Sequence, residues 1–260
     1  TTAINLQAAG DVTVGTTSAL LVIANSASGN VNITTSGFTA LGGYVDPTTH
    51  EAVFGQSSSA DGNFTLTAGG GLLVNGGIQS KNLTLQSGAN STIFLGADVK
   101  GSNSVTLTAQ GTGSVVQLTN STKVSGQTLT VSTGSGNIGA SGLALRSDAT
   151  DLTFTTSGNV TMWNQNPNGF LDLKAWTGTS LNFTEEGDLN VRGQLFATGV
   201  VSLTANTGSL FLGNNVVSGT MAVLQATGSI TQRSGDLLFA PILFASAGSG
   251  GINLSKVNTH

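Results

Sequence analysis

The chain has 260 residues, of which 37 are Gly, 3 are Pro and none is Cys, and only 8% are charged. So little charge beside 38% hydrophobic residues excludes a disordered chain, and the lack of Cys excludes disulfides. The net charge is −4 and the few Lys and Arg residues are scattered, which predicts no nucleic-acid partner. No window reaches the roughly 18 apolar residues that a membrane-spanning helix needs, which predicts no membrane span.

A five-residue phrase recurs along the chain: apolar, Thr or Asn, apolar, Thr or another polar residue, then a small residue. It begins at Phe64, Leu83, Val105, Leu129, Leu152, Val201 and Ile252. Weaker apolar phrases bisect these intervals, so that a short strand is expected about every ten residues. Apolar residues at i and i+2 share one face of a strand, and a strand repeated at this period is typical of a solenoid.

The pattern predicts an all-β fold, a parallel β-helix of roughly 20–24 residues per coil, with residues 1–260 forming a single solenoid. In this fold the apolar positions Leu66, Leu85, Leu107, Val131 and Phe154 should stack as an interior ladder. An antiparallel sandwich is the alternative, since it also has strands every 8–12 residues. The β-helix is favoured because Asn-Gly hairpin signals are scarce and because corresponding positions repeat in type.

One segment lacks the repeated strand phrase. Residues 44–55 contain Pro, His, Glu and an aromatic pair and run into a Ser-rich stretch. We predict a loop that leaves the coil at 44–62. Such loops often carry binding, but a tolerated surface insertion is the favoured interpretation of this segment.

Several stretches combine Gly, Asn, Ser and Thr turns with short apolar strands. They are Gly29–Ile33, Ser87–Ile93, Ala226–Gln232 and Ala247–Leu254. In this repeat pattern the chain resembles the filamentous-haemagglutinin-like exoproteins of bacterial two-partner secretion. The resemblance implies a right-handed parallel β-helix and a large secreted adhesin, located extracellularly or on the bacterial cell surface.

A more specific resemblance to that family is the run Asn166-Pro167-Asn168-Gly169-Phe170. The secretion domain of the family carries Asn-Pro-Asn motifs, one of them followed by Gly and an aliphatic residue, where Phe170 stands here. The residues also have a simpler interpretation as a turn, because Pro167 presets φ and Gly169 accepts a left-handed conformation.

Residues that carry chemistry are sparse. The two His residues, His50 and His260, are far apart in sequence, and no pair has metal-ligand spacing, so we predict no metal, no cofactor and no enzyme.

The densest charge runs from Asp172 to Arg192, close to both tryptophans. A glycan contact is therefore considered at Trp163, Trp176, Asp172, Glu185 and Glu186. A polysaccharide-active enzyme with paired carboxylates is the rival, and a solvated turn at 185–188 is the alternative without function.

Thr-x-Thr phrases, such as Thr65–Thr67 and Thr106–Thr108, direct two hydroxyls outward and resemble the arrays of ice-binding proteins. Gln86, Ser132 and Asn253 interrupt the array, and Thr is also an ordinary polar residue of strands.

The function expected from the sequence is a non-enzymatic, secreted structural or adhesive β-helix. It would be either a segment of a large surface adhesin or a subunit that stacks end to end into a fibre. Both ends carry strand-like phrases and no polar cap, which favours pairing with another coil. The expected partners are copies of itself or the flanking β-helix of a longer chain, together with host or matrix glycans.

Overall fold

The computed structural model describes residues 3–45, 52–53, 55–166 and 168–258, which form strands and turns without a helix. No helix that could cross a membrane occurs in this part of the chain. The strands stack in parallel as a β-solenoid of about 11 turns. The predicted all-β parallel solenoid is thus confirmed. The antiparallel sandwich is excluded, because the ladders between described strands are parallel in every case but one short hairpin.

The largest sheet has 21 strands and follows the coil around its corners. Its strands are β1 (Ala3–Ala8), β2 (Val12–Thr17), β3 (Leu21–Ser26), β4 (Val31–Thr35), β5 (Thr39–Leu41), β8 (Ser58–Ala60), β9 (Asn63–Ala68), β10 (Leu72–Val74), β11 (Ile78–Ser87), β12 (Ile93–Leu95), β13 (Val99–Ala109), β14 (Val115–Gln117), β15 (Val124–Ser125), β16 (Thr128–Thr133), β17 (Leu145–Ser147), β18 (Asp151–Thr155), β19 (Asn159–Asn164), β22 (Ser180–Glu185), β25 (Val201–Ala205), β28 (Met221–Ala226) and β31 (Ile242–Ala247). It is continuous because β11 pairs with both β8 and β9, and β13 with both β15 and β16.

Two five-stranded sheets complete the upper coils, and the first strand of a two-stranded hairpin lies close to β1 and β3 in the lower ones. One sheet contains β20 (Phe170–Leu173), β23 (Asp188–Val191), β26 (Leu210–Leu212), β29 (Ile230–Gln232) and β32 (Ile252–Asn253). The other contains β21 (Trp176–Gly178), β24 (Leu195–Ala197), β27 (Val216–Ser218), β30 (Leu238–Phe239) and β33 (Val257–Asn258). The hairpin strands are β6 (Tyr44–Val45) and β7 (Ala52–Val53).

The coil changes its cross-section at β19, a level that we call the junction. Below it, β9, β11, β13, β16 and β18 stack as one long-stranded face. Above it, β20 and β21 begin the two five-stranded sheets and form no strand ladder with the coil beneath. By contrast, β19 pairs with β17 below and with β22 above. Among the described residues, strand pairing therefore crosses the junction through β19 alone.

The interior is a set of apolar ladders. The predicted ladder is confirmed, because Leu66, Leu85, Leu107, Val131 and Phe154 are in register from coil to coil and buried. Burying one such aliphatic side chain contributes about 1.5–3 kcal/mol, so stability grows with each added coil.

The loop expected at 44–62 contains the hairpin, in which Tyr44 pairs with Val53. Residues 46–51 and 54 of that expected loop lie outside the described residues. Its last part is strand β8 of the solenoid, where the Ser58 side chain is buried. The chain has therefore returned to the coil by Ser58.

Turn glycines lie against one another between coils. A Cβ on Gly136 would stand 1.8 Å from the carbonyl oxygen of Gly113, and one on Gly158 would stand 2.4 Å from that of Gly136. Both distances are far inside van der Waals contact. The Gly-rich composition thus reflects close backbone approach at this corner as well as turn formation.

Candidate functional site

A group of polar and aromatic side chains gathers where β17, β19 and β22 cross the junction. Side chains alternate between the two faces of each strand, so Ser147, Asn164 and Glu185 face the interior in successive coils. Their neighbours Arg146 and Trp163 face outward. The site therefore has an inner part and an outer part that share the same three strands.

The inner part is centred on the Asn164 side chain. Its Oδ1 accepts hydrogen bonds from Ser147 Oγ at 2.7 Å and from the Ala149 backbone N–H at 3.0 Å. Its Nδ2 donates to the Ala149 carbonyl at 3.0 Å and to Glu185 Oε2 at 2.9 Å. One buried amide, with its full hydrogen-bonding capacity in use, thus links the coils on both sides of β19.

Glu185 is 0% exposed, and its Oε1 is buried without a hydrogen-bond partner among the described residues. Ala205, which pairs with it in the coil above, offers no polar side chain. Burial raises the pKa of Glu185 from 4.5 to about 7, against the lowering effects of the Asn164 amide and the backbone of Asn166 and Gly187. The adjacent charge of Glu186 raises it further. The carboxyl is therefore poised to change charge near neutral pH.

The outer part joins Trp163 to the second carboxylate. Trp163 Nε1 donates to Glu186 Oε2 at 3.1 Å, and Asn206 Nδ2 donates to Glu186 Oε1 at 3.1 Å. The Arg146 guanidinium lies 4.4 Å from the centroid of the Trp163 ring, which is a cation–π contact. One face of the ring is thus occupied by Arg146, and only part of the side chain is open to solvent.

Trp176, which the sequence suggested as a glycan contact, is 5% exposed and belongs to the core. Its ring lies 6.4 Å from that of Phe154, which in turn stacks on Phe183 at 6.1 Å. Its Nε1 has no partner in the described part of the chain. Burial leaves no surface on which a sugar could stack, so this suggestion for Trp176 is wrong.

The carboxylates of the predicted cluster have separate partners. Asp172, on the outer side of β20, forms an ion pair with Arg192 Nε at 3.1 Å and accepts a hydrogen bond from Asn190 Nδ2 at 2.7 Å. Glu186 binds Trp163, whereas Glu185 points inward. The interpretation of 185–188 as a solvated turn is therefore wrong for Glu185, which is buried at the end of β22. Because Glu185 is buried, it is not available as a glycan contact either.

The run at 166–170 forms a turn beside this site. Gly169 N–H donates to the Asn166 carbonyl at 3.0 Å, and Asn168 N–H donates to Asn166 Oδ1 at 2.9 Å. Gly169 has a φ of +67°. These contacts account for Asn and Gly at their positions, while Pro167 lies outside the described residues.

No group of three metal-ligating side chains occurs among the described residues. Asn164 and Arg146 belong to the site but were not found from the sequence. A signal for Asn164 was present, since the alternation Val160, Met162, Asn164 already places it inward. Its partner Ser147 lies 17 residues earlier, outside the expected coil length, so the contact itself had no sequence signal.

Comparison with protein families, with curated proteins and with solved structures gives no match. The chain is thus a parallel β-solenoid whose architecture is compatible with a β-helix repeat family.

Proposed function

We propose that the chain is a non-enzymatic structural or adhesive β-solenoid of the filamentous-haemagglutinin-like type, secreted to a bacterial cell surface or its surroundings. In this role its first and last coils pair with further coils. Those coils belong either to a longer adhesin or to another copy of the chain in a fibre.

The two edges of the 21-stranded sheet support this proposal. Among the described strands, β1 at one edge pairs with β3 alone, and β31 at the other edge pairs with β28 alone. Each edge strand places partly buried apolar residues on the interior side at i, i+2 and i+4: Ile4, Leu6 and Ala8 on β1, and Leu243, Ala245 and Ala247 on β31. Equal spacing allows one edge to continue the ladders of the other, and unpaired strand edges favour such pairing.

Sedimentation over a dilution series tests the fibre form. We expect the mass to grow with concentration, because a head-to-tail contact does not close. Leu243→Asp should weaken this growth at least tenfold, since it places a carboxylate in the new interior. Ser246→Asp is the matched control, because Ser246 faces solvent on the same strand and its variant should associate like the parent.

A chain that stays monomeric at high concentration and shows an ordered cap over both β1 and β31 would contradict both forms of the proposal. Release of soluble or unsaturated sugars from acidic polysaccharides would contradict the non-enzymatic role and favour the rival enzyme.

The long-stranded face below the junction supports a second candidate, ice binding. Thr65, Thr84, Thr106, Thr130 and Thr153 form one in-register outward column. The alignment of Thr130 with Thr106 is the one expected from the phrases that begin at Val105 and Leu129. Strands about 4.8 Å apart make this a regular array of hydroxyl and methyl groups.

The face is almost free of charge. Among the outward residues of β9, β11, β13, β16 and β18, three are charged: Lys81, Lys100 and Asp151. The two Lys residues precede the threonine-bearing parts of β11 and β13, and Lys174 Nζ pairs with Asp151 at 2.6 Å. The short strands β10, β12 and β14 instead carry Leu73, Phe94 and Val116 outward. Thr is therefore concentrated on one face rather than spread over all of them.

Thermal hysteresis and inhibition of ice recrystallisation test this candidate. We expect Thr106→Tyr to abolish both effects, because a bulky ring interrupts the flat column. Thr204→Tyr, on a strand above the junction, should leave them unchanged. A parent protein without either effect contradicts ice binding and leaves the structural role untouched.

A further inference from the structure

A buried carboxyl lies next to the level at which the solenoid changes its cross-section. Strand pairing crosses this level through β19, whose two neighbours are β17 and β22. The sheets that begin with β20 and β21 add no ladder to the coil below. In the described structure, strand pairing at the junction therefore depends on β19, while the Lys174–Asp151 ion pair and the ring contact between Phe154 and Trp176 also cross this level.

The only side-chain amide inside β19 at this level is Asn164, and it holds three coils together. It bonds to Ser147 Oγ and the Ala149 backbone below, and to Glu185 Oε2 above. Glu185 is thus the upper end of a buried polar link, and it is the charged side chain among the buried polar residues of the described structure. Its second oxygen, Oε1, is buried without a partner in the described structure.

We propose that the buried carboxyl of Glu185 makes the junction a pH-sensitive joint of the solenoid. The joint is closed most firmly in acid, where Glu185 is protonated, and opens more readily where Glu185 is ionised. An ionised carboxylate with one unpartnered oxygen requires water, which it gains when β22 separates from β19.

No positively charged side chain among the described residues faces Glu185 to offset the cost of ionising its carboxyl. β19 faces it with Asn164 and β25 with Ala205, neither of which carries charge. On its own strand the following residue is Glu186, whose negative charge disfavours ionisation. Arg146 on β17 lies on the outer side, over the ring of Trp163.

The direction of the pH dependence follows from linkage. The closed joint holds the proton of Glu185 more tightly than the opened one, because burial raises its pKa from 4.5 to about 7. Opening therefore releases a proton between these two pH values. The equilibrium constant of local opening should rise by up to about tenfold per pH unit in that window and level off above about pH 7.

Amide hydrogen exchange of the whole chain at a series of pH values, corrected for the intrinsic exchange rate, measures this opening. We expect protection in β19 and β22 to fall as the pH rises from about 4.5 to about 7, while the coils of β9 and β11 change little. Glu185→Gln keeps a hydrogen-bonding oxygen and removes the charge, so its protection should stay constant across the same window. Glu186→Gln is the matched control on the outer side and should retain most of the dependence.

Carbon-13 NMR of the Glu185 carboxyl in the parent protein gives an independent readout that requires no folded variant. A midpoint near 7 supports the joint, whereas a midpoint near 4.5 overturns it. Protection in β19 and β22 that does not change with pH, or that changes equally in Glu185→Gln, also overturns it.

Discussion

Asn164 Nδ2 donates a hydrogen bond of 2.9 Å to Glu185 Oε2, from one coil of the solenoid to the next, inside an apolar core. The two residues face each other in the register of β19 and β22. Their chain neighbours Trp163 and Glu186 are hydrogen-bonded to each other on the outer side. The bond between Asn164 and Glu185 also relates stability to pH, because it lowers the pKa that burial raises.

Replacing Asn164 by Ala should raise the pKa of Glu185 above its parent value of about 7, because the bond to Asn164 favours the ionised form. The folded pKa lies above the unfolded one, so the protonated form contributes stability at low pH that is lost as pH rises from 4.5 through the folded pKa. In the parent this loss is about 3 kcal/mol, and in the variant it should extend to higher pH.

Carbon-13 titration and urea unfolding at several pH values check this prediction. Asn206→Ala, which removes a bond to Glu186 instead, is the control and should leave the Glu185 midpoint in place. A lower midpoint in Asn164→Ala would show that the amide does not stabilise the carboxylate.

Replacing Leu107 by Asp should destabilise the coils around β13. Leu107 is fully buried between Leu85 and Val131, so the substitution loses apolar burial and places an unpaired carboxylate in the core. We expect a loss of about 4 kcal/mol or more in the free energy of unfolding, measured by urea denaturation. Thr106→Asp, on the outward side of the same strand, should cost less than about 1 kcal/mol, and equal losses would contradict the register.

Replacing Trp176 by Phe should change stability by no more than about 1 kcal/mol. The loss of ring area is offset because the variant removes a buried N–H that has no partner in the described structure. Trp176→Ala, which also removes the contact with Phe154, should cost about 3–5 kcal/mol. Thermal and urea unfolding distinguish the two variants, and a loss above about 2 kcal/mol for Trp176→Phe would indicate that the N–H is bonded.

Replacing Gly136 by Ala should cost about 2 kcal/mol, because the new Cβ would stand 1.8 Å from the carbonyl oxygen of Gly113 and the turns would have to separate. Gly15→Ala is the matched control. Its Cβ meets nothing within 4 Å, so this variant should be neutral or up to about 1 kcal/mol more stable. Circular dichroism melting of both proteins would detect the difference, and equal melting temperatures would speak against the close approach.

The sequence by itself determined the solenoid and much of its core. Alternation of apolar and polar residues is a local property of a strand, so Leu107 could be placed inside and Thr106 outside without knowledge of the fold. The near-regular spacing of the phrases then implied that equivalent residues stack, as the ladder from Leu66 to Phe154 shows.

Only the tertiary structure decided the contacts of the candidate site. Coil lengths vary, so the partner of a residue in the next coil cannot always be read from the period: Ser147 meets Asn164 after only 17 residues. Glu185 and Trp176 are buried while their chain neighbours face outward, and this difference follows from where each coil turns. A one-residue change in a turn exchanges the inner and outer faces of the next strand, and this choice is made by packing between coils.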